Sequence, residues 1–226
     1  MTQNITSLKD LHKGEDIYVL GSGTTLDFID KDFFSNKITV SVNEVGVVYL
    51  PTTQYVVTKY HREAIDFAQR LPNSKVVVSK GNLGNGDYPE LPNNLSNLYY
   101  FNHNINKDHE TSVNEWLFDE DALFVSWSSI TSAMHLAAYL GAKNIIMVAH
   151  DCGELNDKSW VDGYVVYDWS EDSIAGAKER NIKFEKQSVA VKKKLIELYG
   201  CNVYSLNPFI NYSLEGHKYR GTSVIN

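Results

Sequence analysis

The feature that most constrains the fold of this chain is a series of short runs that are apolar on both faces. Side chains alternate between the two faces of a strand, so such runs must be buried on both sides, as in a parallel sheet covered by helices. The runs are IYVL (17–20), KITVSV (37–42), QYVVT (54–58), KVVVS (75–79), LYYF (98–101), ALFV (122–125), NIIMVA (144–149) and NVYSL (202–206).

Helical patterns separate several of these runs. They are HREAIDFAQRL (61–71), TSAMHLAAYLG (131–141) and KFEKQSVAVKKKLIELYG (183–200), the last two ending on a C-capping glycine. The alternation predicts an α/β, Rossmann-like fold with a mainly parallel sheet flanked by helices. We expect residues 1–226 to form a single nucleotide-binding domain.

Composition narrows the class of protein. The net charge of −7 disfavours a nucleic-acid partner, because such binding needs a basic surface. The two cysteines suit a reducing compartment, and MTQNITSLKDLHKGED (1–16) contains no apolar signal region. No run reaches the roughly 18 apolar residues of a spanning helix. We therefore expect a cytoplasmic protein without a membrane span.

One long irregular stretch follows a predicted strand. Residues 151–181 are polar and aromatic without a clean period, which is typical of a lid or binding loop. We expect this insertion to contact an acceptor. Its flat side chains suit a sugar ring or a base, and they are Trp160, Tyr164, Tyr167 and Trp169.

Ligands of open α/β sheets bind beyond the carboxyl ends of the strands, so the residues after each run are the candidate site. Gly21-Ser22-Gly23-Thr24-Thr25 follows the first run. Its N–H groups and hydroxyls suit a phosphate, or the segment is simply a turn. It is neither a dinucleotide fingerprint, since Leu26 replaces the final glycine, nor a P-loop.

Three further strand ends carry polar side chains. We expect Asn43 either to hydrogen-bond a base or ribose of a nucleotide or simply to cap its strand. We expect Lys59 either to neutralise a phosphate or to be a solvated loop residue. Asp151 is an acid at the end of a central run, and His150 beside it is a candidate general base. For both, the alternative is a packing or turn-capping role.

Together these pieces resemble a family. YVLGSGTTLDFID (18–30) is similar to the opening of the MptE-like and Maf flagellin-modification proteins and of the Campylobacter-type bacterial sialyltransferases. SWSSITSAMHLAAYLGAKNIIMVAHDCG (126–153) resembles a block that these proteins share, and CNVYSLNP (201–208) resembles their closing strand. The resemblance covers about two thirds of the chain.

The resemblance implies a Rossmann-like fold that binds a nucleotide-activated sugar. It places Gly21, Ser22 and Gly23 against phosphate or ribose and Asn43 against the nucleotide. It places Thr131 and Ser132 at a helix N-terminus beside the cytidine monophosphate, and Asp151 at the strand end.

The chain also departs from the family. Thr24-Thr25 replaces Pro-Ser, and Ser129 stands where the sialyltransferases have an arginine. Their catalytic histidine aligns near Lys183, so the base here would be another residue, with His150 or His61 as the candidates.

We therefore expect a sialyltransferase-like glycosyltransferase that is metal-independent, takes a nucleotide-sugar donor, foremost a CMP-sugar, and acts on a hydroxyl of a glycan or small molecule. The first alternative is an MptE-like diphosphokinase using ATP and magnesium. The second is a nucleotide-binding module without activity, and a homo-oligomer is compatible with all three.

Overall fold

The computed structural model describes residues 3–81, 89–102, 121–155, 157–165 and 177–206. In this part of the chain, eight strands form one sheet in which every pairing is parallel. The strands are β1 (Gln3–Asn4), β2 (Asp16–Leu20), β3 (Ile38–Val42), β4 (Tyr55–Thr58), β5 (Lys75–Ser79), β6 (Leu98–Phe101), β7 (Asn144–Val148) and β8 (Asn202–Leu206).

The strand order is β1-β6-β5-β4-β3-β2-β7-β8. The chain builds outward from β2 through β3 to β6, then crosses to the other side of β2 and adds β7 and β8. The registers Leu20↔Ser41 and Leu20↔Val148 align the carboxyl ends of the three central strands. The order of strands therefore reverses between β2 and β7.

Four α-helices accompany the sheet in the described residues. They are α1 (Val45–Val48), α2 (His61–Arg70), α3 (Ser129–Tyr139) and α4 (Ala177–Tyr199). Short 3₁₀ helices span Ile5–Leu8, Thr24–Phe28 and Lys31–Phe34. Gly141 and Gly200 follow α3 and α4 with φ of +91° and +65°, as C-capping glycines should.

Helix α3 forms the centre of the core. Every one of its residues is buried, because it lies between the sheet and α4. Its polar members therefore form internal hydrogen bonds: Ser132 Oγ donates to the carbonyl of Phe124 at 2.7 Å, and His135 Nδ1 accepts from the Phe124 N–H at 2.8 Å. Helix α2 instead buries Ala64, Phe67 and Ala68 against β4 to β6.

The α/β prediction is confirmed, and the structure differs from the sequence analysis in three local features. ALFV (122–125) is buried but forms only a bridge between Ala122 and Asn102, so it is an extended segment and not a strand. The edge strand Gln3–Asn4 was not predicted, because two polar residues carry no apolar run. Helix α4 also begins at Ala177, inside the stretch assigned to the insertion.

No helix in the described parts of the chain combines the length and the apolar character needed to cross a membrane.

Candidate functional site

A cavity of about 110 Å³ opens at the carboxyl ends of β2, β3 and β7, where the strand order reverses. This is the position at which open α/β sheets bind ligands. Its lining combines strand ends, the start of α3 and one face of α4. The lining residues are Gly21, Ser22, Gly23, Val42, Asn43, Ser128, Ser129, Ile130, Ala149, His150, Asp151, Cys152, Gly153, Ser159, Trp160, Asn181 and Phe184.

The Gly21-Ser22-Gly23 turn lies directly against the loop after β7. The N–H groups of Gly21 and Gly23 donate to the carbonyls of Val148 and Ala149, at 2.8 and 3.0 Å. A Cβ on Gly21 would lie 2.5 Å from the Ala149 oxygen, and one on Gly23 would lie 2.2 Å from Asp151 Oδ2. The glycines therefore allow two strand ends to meet, and their N–H groups are engaged within the protein.

Thr24 and Thr25 point away from the cavity. Thr24 Oγ1 donates to the carbonyl of Lys158 at 2.7 Å. Thr25 is fully buried and donates both its N–H and its hydroxyl to Asp151, at 2.9 and 2.6 Å. The two hydroxyls predicted for a phosphate thus hold neighbouring loops in place.

Asp151 lines the cavity and is 2% exposed. Burial raises the pKa of its carboxyl from 3.8 to about 6, and the two hydrogen bonds from Thr25 oppose that shift without cancelling it. A carboxylate accepts about four hydrogen bonds, so each oxygen retains capacity for another donor. Asp151 is therefore a structural acceptor whose pKa lies near neutral pH.

His150 is buried beside the cavity and contacts α4. Its Nε2 lies 2.7 Å from Ser188 Oγ and 3.5 Å from Cys152 Sγ. Burial lowers the pKa of His150 to about 4 and raises that of the Cys152 thiol well above its usual value. Both groups are thus neutral at pH 7, so His150 is a weak base there.

His61, the other candidate base, lies elsewhere. Its two ring nitrogens each lie 2.9 Å from a carbonyl oxygen, one of Ser79 and one of Pro89. It does not line the cavity.

Asn43 lines the cavity and has an unsatisfied buried acceptor. Its backbone N–H donates to Val57 and its Nδ2 lies 3.5 Å from the Tyr164 hydroxyl, while its buried Oδ1 has no hydrogen-bond partner. Asn43, Ala149 and Cys152 all have positive φ, of +48°, +53° and +47°. Such conformations cost of order 1–3 kcal/mol each and concentrate at functional sites.

Lys59 does not reach the cavity. It is 8% exposed, and its Nζ donates to the carbonyls of Ser126 and Trp127 at 3.1 and 2.8 Å. Burial lowers its pKa to about 8, with nearby Glu63 opposing the shift. Lys59, which was predicted to bind a phosphate, is instead buried and stabilises the segment that leads into α3.

The first turn of α3 faces the cavity through Ser128, Ser129 and Ile130. Ser128 is the N-cap, and its side chain accepts from the Ile130 N–H at 3.4 Å. Thr131 and Ser132, which were predicted at the helix start, point inward: Thr131 Oγ1 donates to the Ser128 carbonyl, and Ser132 bonds Phe124. Ser129 is the predicted helix residue that lines the cavity.

Residues 157–165 lie over the glycine turn and contain no helix or strand beyond one bridge at Lys158. The Val161 N–H donates to the Ser22 carbonyl at 2.9 Å. Lys158 pairs with Asp27 at 2.6 Å and also with Asp162. Trp160 lines the cavity, as the predicted insertion requires, whereas Tyr167 and Trp169 lie outside the described residues.

The sequence reasoning did not single out Ser128, Ser159, Asn181 or Phe184 as site residues, although all four line the cavity. Asn181 and Phe184 lie three apart on α4, the spacing of one helix face, but only the tertiary packing brings that face to β7. In the described ranges, no three His, Cys, Asp or Glu side chains gather as they would around a metal ion.

Comparison with known proteins supports the fold. No protein-family model matches the sequence, and no curated protein matches it. A solved structure, the Maf glycosyltransferase from Magnetospirillum magneticum AMB-1, is similar with a TM-score of 0.52 at 13% sequence identity. The match covers 98% of this chain and 37% of that protein. The chain therefore has a Maf-like fold and spans little more than a third of the length of the protein it resembles.

Proposed function

We propose that this protein is a glycosyltransferase that takes a nucleotide-activated sugar at the cavity between β2 and β7. The observation that carries the proposal is the composition of that cavity. It joins the glycine turn, Asn43, the first turn of α3 and Asp151 at the ligand-binding edge of the sheet. The likeness in fold to a Maf glycosyltransferase supports the same class of reaction.

The donor phosphate would lie at the start of α3. The helix has 11 residues, and Ser128, Ser129 and Ile130 at its start line the cavity. A helix N-terminus favours an anion through its free N–H groups and its dipole. We assign phosphate binding to α3 and not to the N–H groups of Gly21 and Gly23, because those two groups already bond to the loop after β7.

Asn43 would read the nucleoside. Its unsatisfied Oδ1 favours a hydrogen-bond donor, such as a ribose hydroxyl or an exocyclic amino group. A CMP-sugar fits this residue because the exocyclic amino group of cytosine is such a donor.

Asp151 would take the proton from the acceptor hydroxyl. A base works best when its pKa lies close to the working pH, and the pKa of Asp151, about 6, meets that condition better than that of His150, about 4. The proton would pass from the acceptor oxygen to the carboxylate as that oxygen bonds to the sugar carbon. The nucleotide phosphate would leave with the bonding electrons.

Thermal unfolding in the presence of nucleotides tests the proposal. A ligand at about 100 times its dissociation constant adds roughly 2.7 kcal/mol of stability. We expect CMP or another pyrimidine nucleotide to raise the melting temperature without metal. Ser129→Ala should weaken binding about tenfold, the cost of one hydrogen bond to a charged group. Ser96→Ala, an exposed serine outside the cavity, is the matched control.

Turnover is measured separately, as release of CMP from CMP-N-acetylneuraminate with added acceptor. We expect Asp151→Asn to bind CMP and to lose release. Stabilisation by ATP only with magnesium would replace the proposal with the diphosphokinase. Binding of CMP without turnover of any nucleotide sugar would favour an inactive binding module. A Ser129→Ala protein that binds like wild type would remove α3 from the site.

A further inference from the structure

Trp127 is the most exposed large apolar side chain among the described residues, at 57%. It directly precedes Ser128 and Ser129, which line the cavity. Covering an indole face with a ligand is favourable because it removes apolar surface from water. Trp127 thus presents a flat apolar face beside a segment that lines the cavity.

Helix α4 supplies a cation to the same place. Lys183 is exposed, and its Nζ lies 6.0 Å from the centre of the Trp127 ring. The next residue, Phe184, lines the cavity, and the preceding residue, Ile182, is 55% exposed. An aromatic face and a positive charge therefore lie together, each directly preceding a residue that lines the cavity.

The backbone that carries Trp127 is held by hydrogen bonds from buried side chains. The buried Lys59 ammonium donates to the carbonyls of both Ser126 and Trp127. Ser126 Oγ also bonds Thr131 Oγ1 at 2.8 Å within α3. A binding group on a braced segment loses less entropy when it meets a ligand. The buried Lys59 therefore stabilises the backbone on which Trp127 is presented.

We infer that Trp127 and Lys183 form a subsite for a sugar ring that carries an anionic group, and that this sugar belongs to the acceptor. The inference rests on the proposed function, because it extends the donor cavity toward its second substrate. The apolar C–H face of a pyranose would stack on the indole, and a carboxylate or phosphate on the ring would pair with Lys183. The chain carries net charge −7, so an anion would reach this rim through local charge and not through the overall field.

The size of the cavity agrees with such an extension. At about 110 Å³ it is smaller than the roughly 300–1,000 Å³ of typical ligand pockets, so it encloses only part of a donor–acceptor pair. A donor–acceptor pair would therefore extend beyond the cavity. Trp127 and Lys183 each directly precede a residue of its lining, Ser128 and Phe184.

Direct binding of small sugars tests the inference without any donor. The chain has four tryptophans, whose indole N–H signals are resolved in a ¹⁵N–¹H spectrum, and Trp127→Phe assigns one of them. The probes are glucose, glucuronate and glucose 6-phosphate. We expect both anionic sugars to shift the Trp127 signal with an affinity two- to fivefold above that of glucose, the range of an exposed ion pair. Comparing glucuronate with glucose 6-phosphate distinguishes a carboxylate from a phosphate as the preferred anionic group.

Variants locate the effect. Lys183→Met should abolish the preference for anionic sugars and leave glucose binding unchanged. Trp127→Ala, which lacks the indole signal and is followed through backbone amide signals of the same spectrum, should weaken binding of all three probes about tenfold. Phe33 and Lys37 form a matched pair, with Lys37 Nζ 4.1 Å from the Phe33 ring, at the amino end of the sheet. Phe33→Ala and Lys37→Met should leave sugar binding unchanged.

The inference is overturned if no probe moves the Trp127 signal, if glucose binds as tightly as the anionic sugars, or if Lys37→Met acts like Lys183→Met. Preference for only one of the two anions supports it and names the acceptor's charged group. Because these readouts need no nucleotide, failure here leaves CMP binding and its Ser129 dependence intact. Failure of CMP binding with intact sugar binding would instead remove the proposed donor.

Discussion

Replacing Asp151 by Asn separates the structural role of this carboxylate from its chemical one. The amide has the same shape, its oxygen can accept from the Thr25 N–H, and its NH₂ can donate to a Thr25 hydroxyl that has turned to accept. The variant should therefore fold. What it removes is the cost of holding a charge at a 2% exposed position.

The magnitude follows from the pKa. Burial raises the pKa of Asp151 from 3.8 to about 6 in the fold, and each pKa unit is worth 1.36 kcal/mol. The protonated form is thus favoured by folding, so its contribution is complete below pH 4 and is lost as the pH rises through about 6. Relative to Asp151→Asn, wild type should lose roughly 3 kcal/mol across that interval.

Urea denaturation of both proteins at intervals from pH 4 to 7 measures the difference. Groups that titrate in both proteins cancel in it, and equal m-values confirm that the same surface unfolds. Asp66→Asn, which removes a half-exposed carboxylate that pairs with Arg70, is the control. If the variant's advantage instead shrinks as the pH rises, the Thr25 hydrogen bonds outweigh burial and the reasoning fails.

Three further outcomes are expected. Gly23→Ala should destabilise the fold by about 1–3 kcal/mol, because its Cβ would overlap Asp151 Oδ2 at 2.2 Å. The pKa of His135 is lowered by burial to about 3, so its imidazole should stay neutral in NMR titrations down to pH 4, and the stability that the neutral ring contributes should be lost as the pH drops below 6.5. Ser188→Ala should cost about 1–3 kcal/mol in urea denaturation, since His150 Nε2 loses its 2.7 Å partner.

Each of these expectations has a contrary result. Gly14→Ala, where no atom lies within 4 Å of the new Cβ, reports the cost of a φ of +85° alone. The loss of stability in Gly23→Ala must be larger than the loss in Gly14→Ala. An equal loss would show that the overlap with Asp151 is relieved by a small shift. A His135 signal that titrates near pH 6.5 would show that the ring reaches water. An unchanged Ser188→Ala protein would show that His150 finds another partner.

Much of the fold follows from local sequence. A run such as QYVVT is apolar on both faces, and that property alone requires two covering layers and hence a parallel sheet. ALFV has the same composition and pairs only at Ala122, because apolar composition reports burial and not hydrogen-bond partners. Likewise, SWSSITS offers several hydroxyls as N-caps, and only the backbone direction selects Ser128 over Thr131.

The candidate site was predictable in location and less so in the use of each side chain. The strand-end rule places Gly21, Asn43 and Asp151 at one edge of the sheet, and all three line one cavity. It could not show that Lys59 meets the carbonyl of Trp127, 68 residues later in the chain, or that Thr25 turns toward Asp151. These two contacts depend on which loops lie next to each other, and the strand order of the whole sheet determines which loops those are.

The contacts between residues 157–165 and the 3₁₀ helix Thr24–Phe28 also couple the covering segment to the glycine turn. Thr24 and Ser22 are bonded to this segment, and Asp27 pairs with its Lys158. Any displacement of the segment would break these bonds together, so a ligand that moves the segment would also change the shape of the glycine turn.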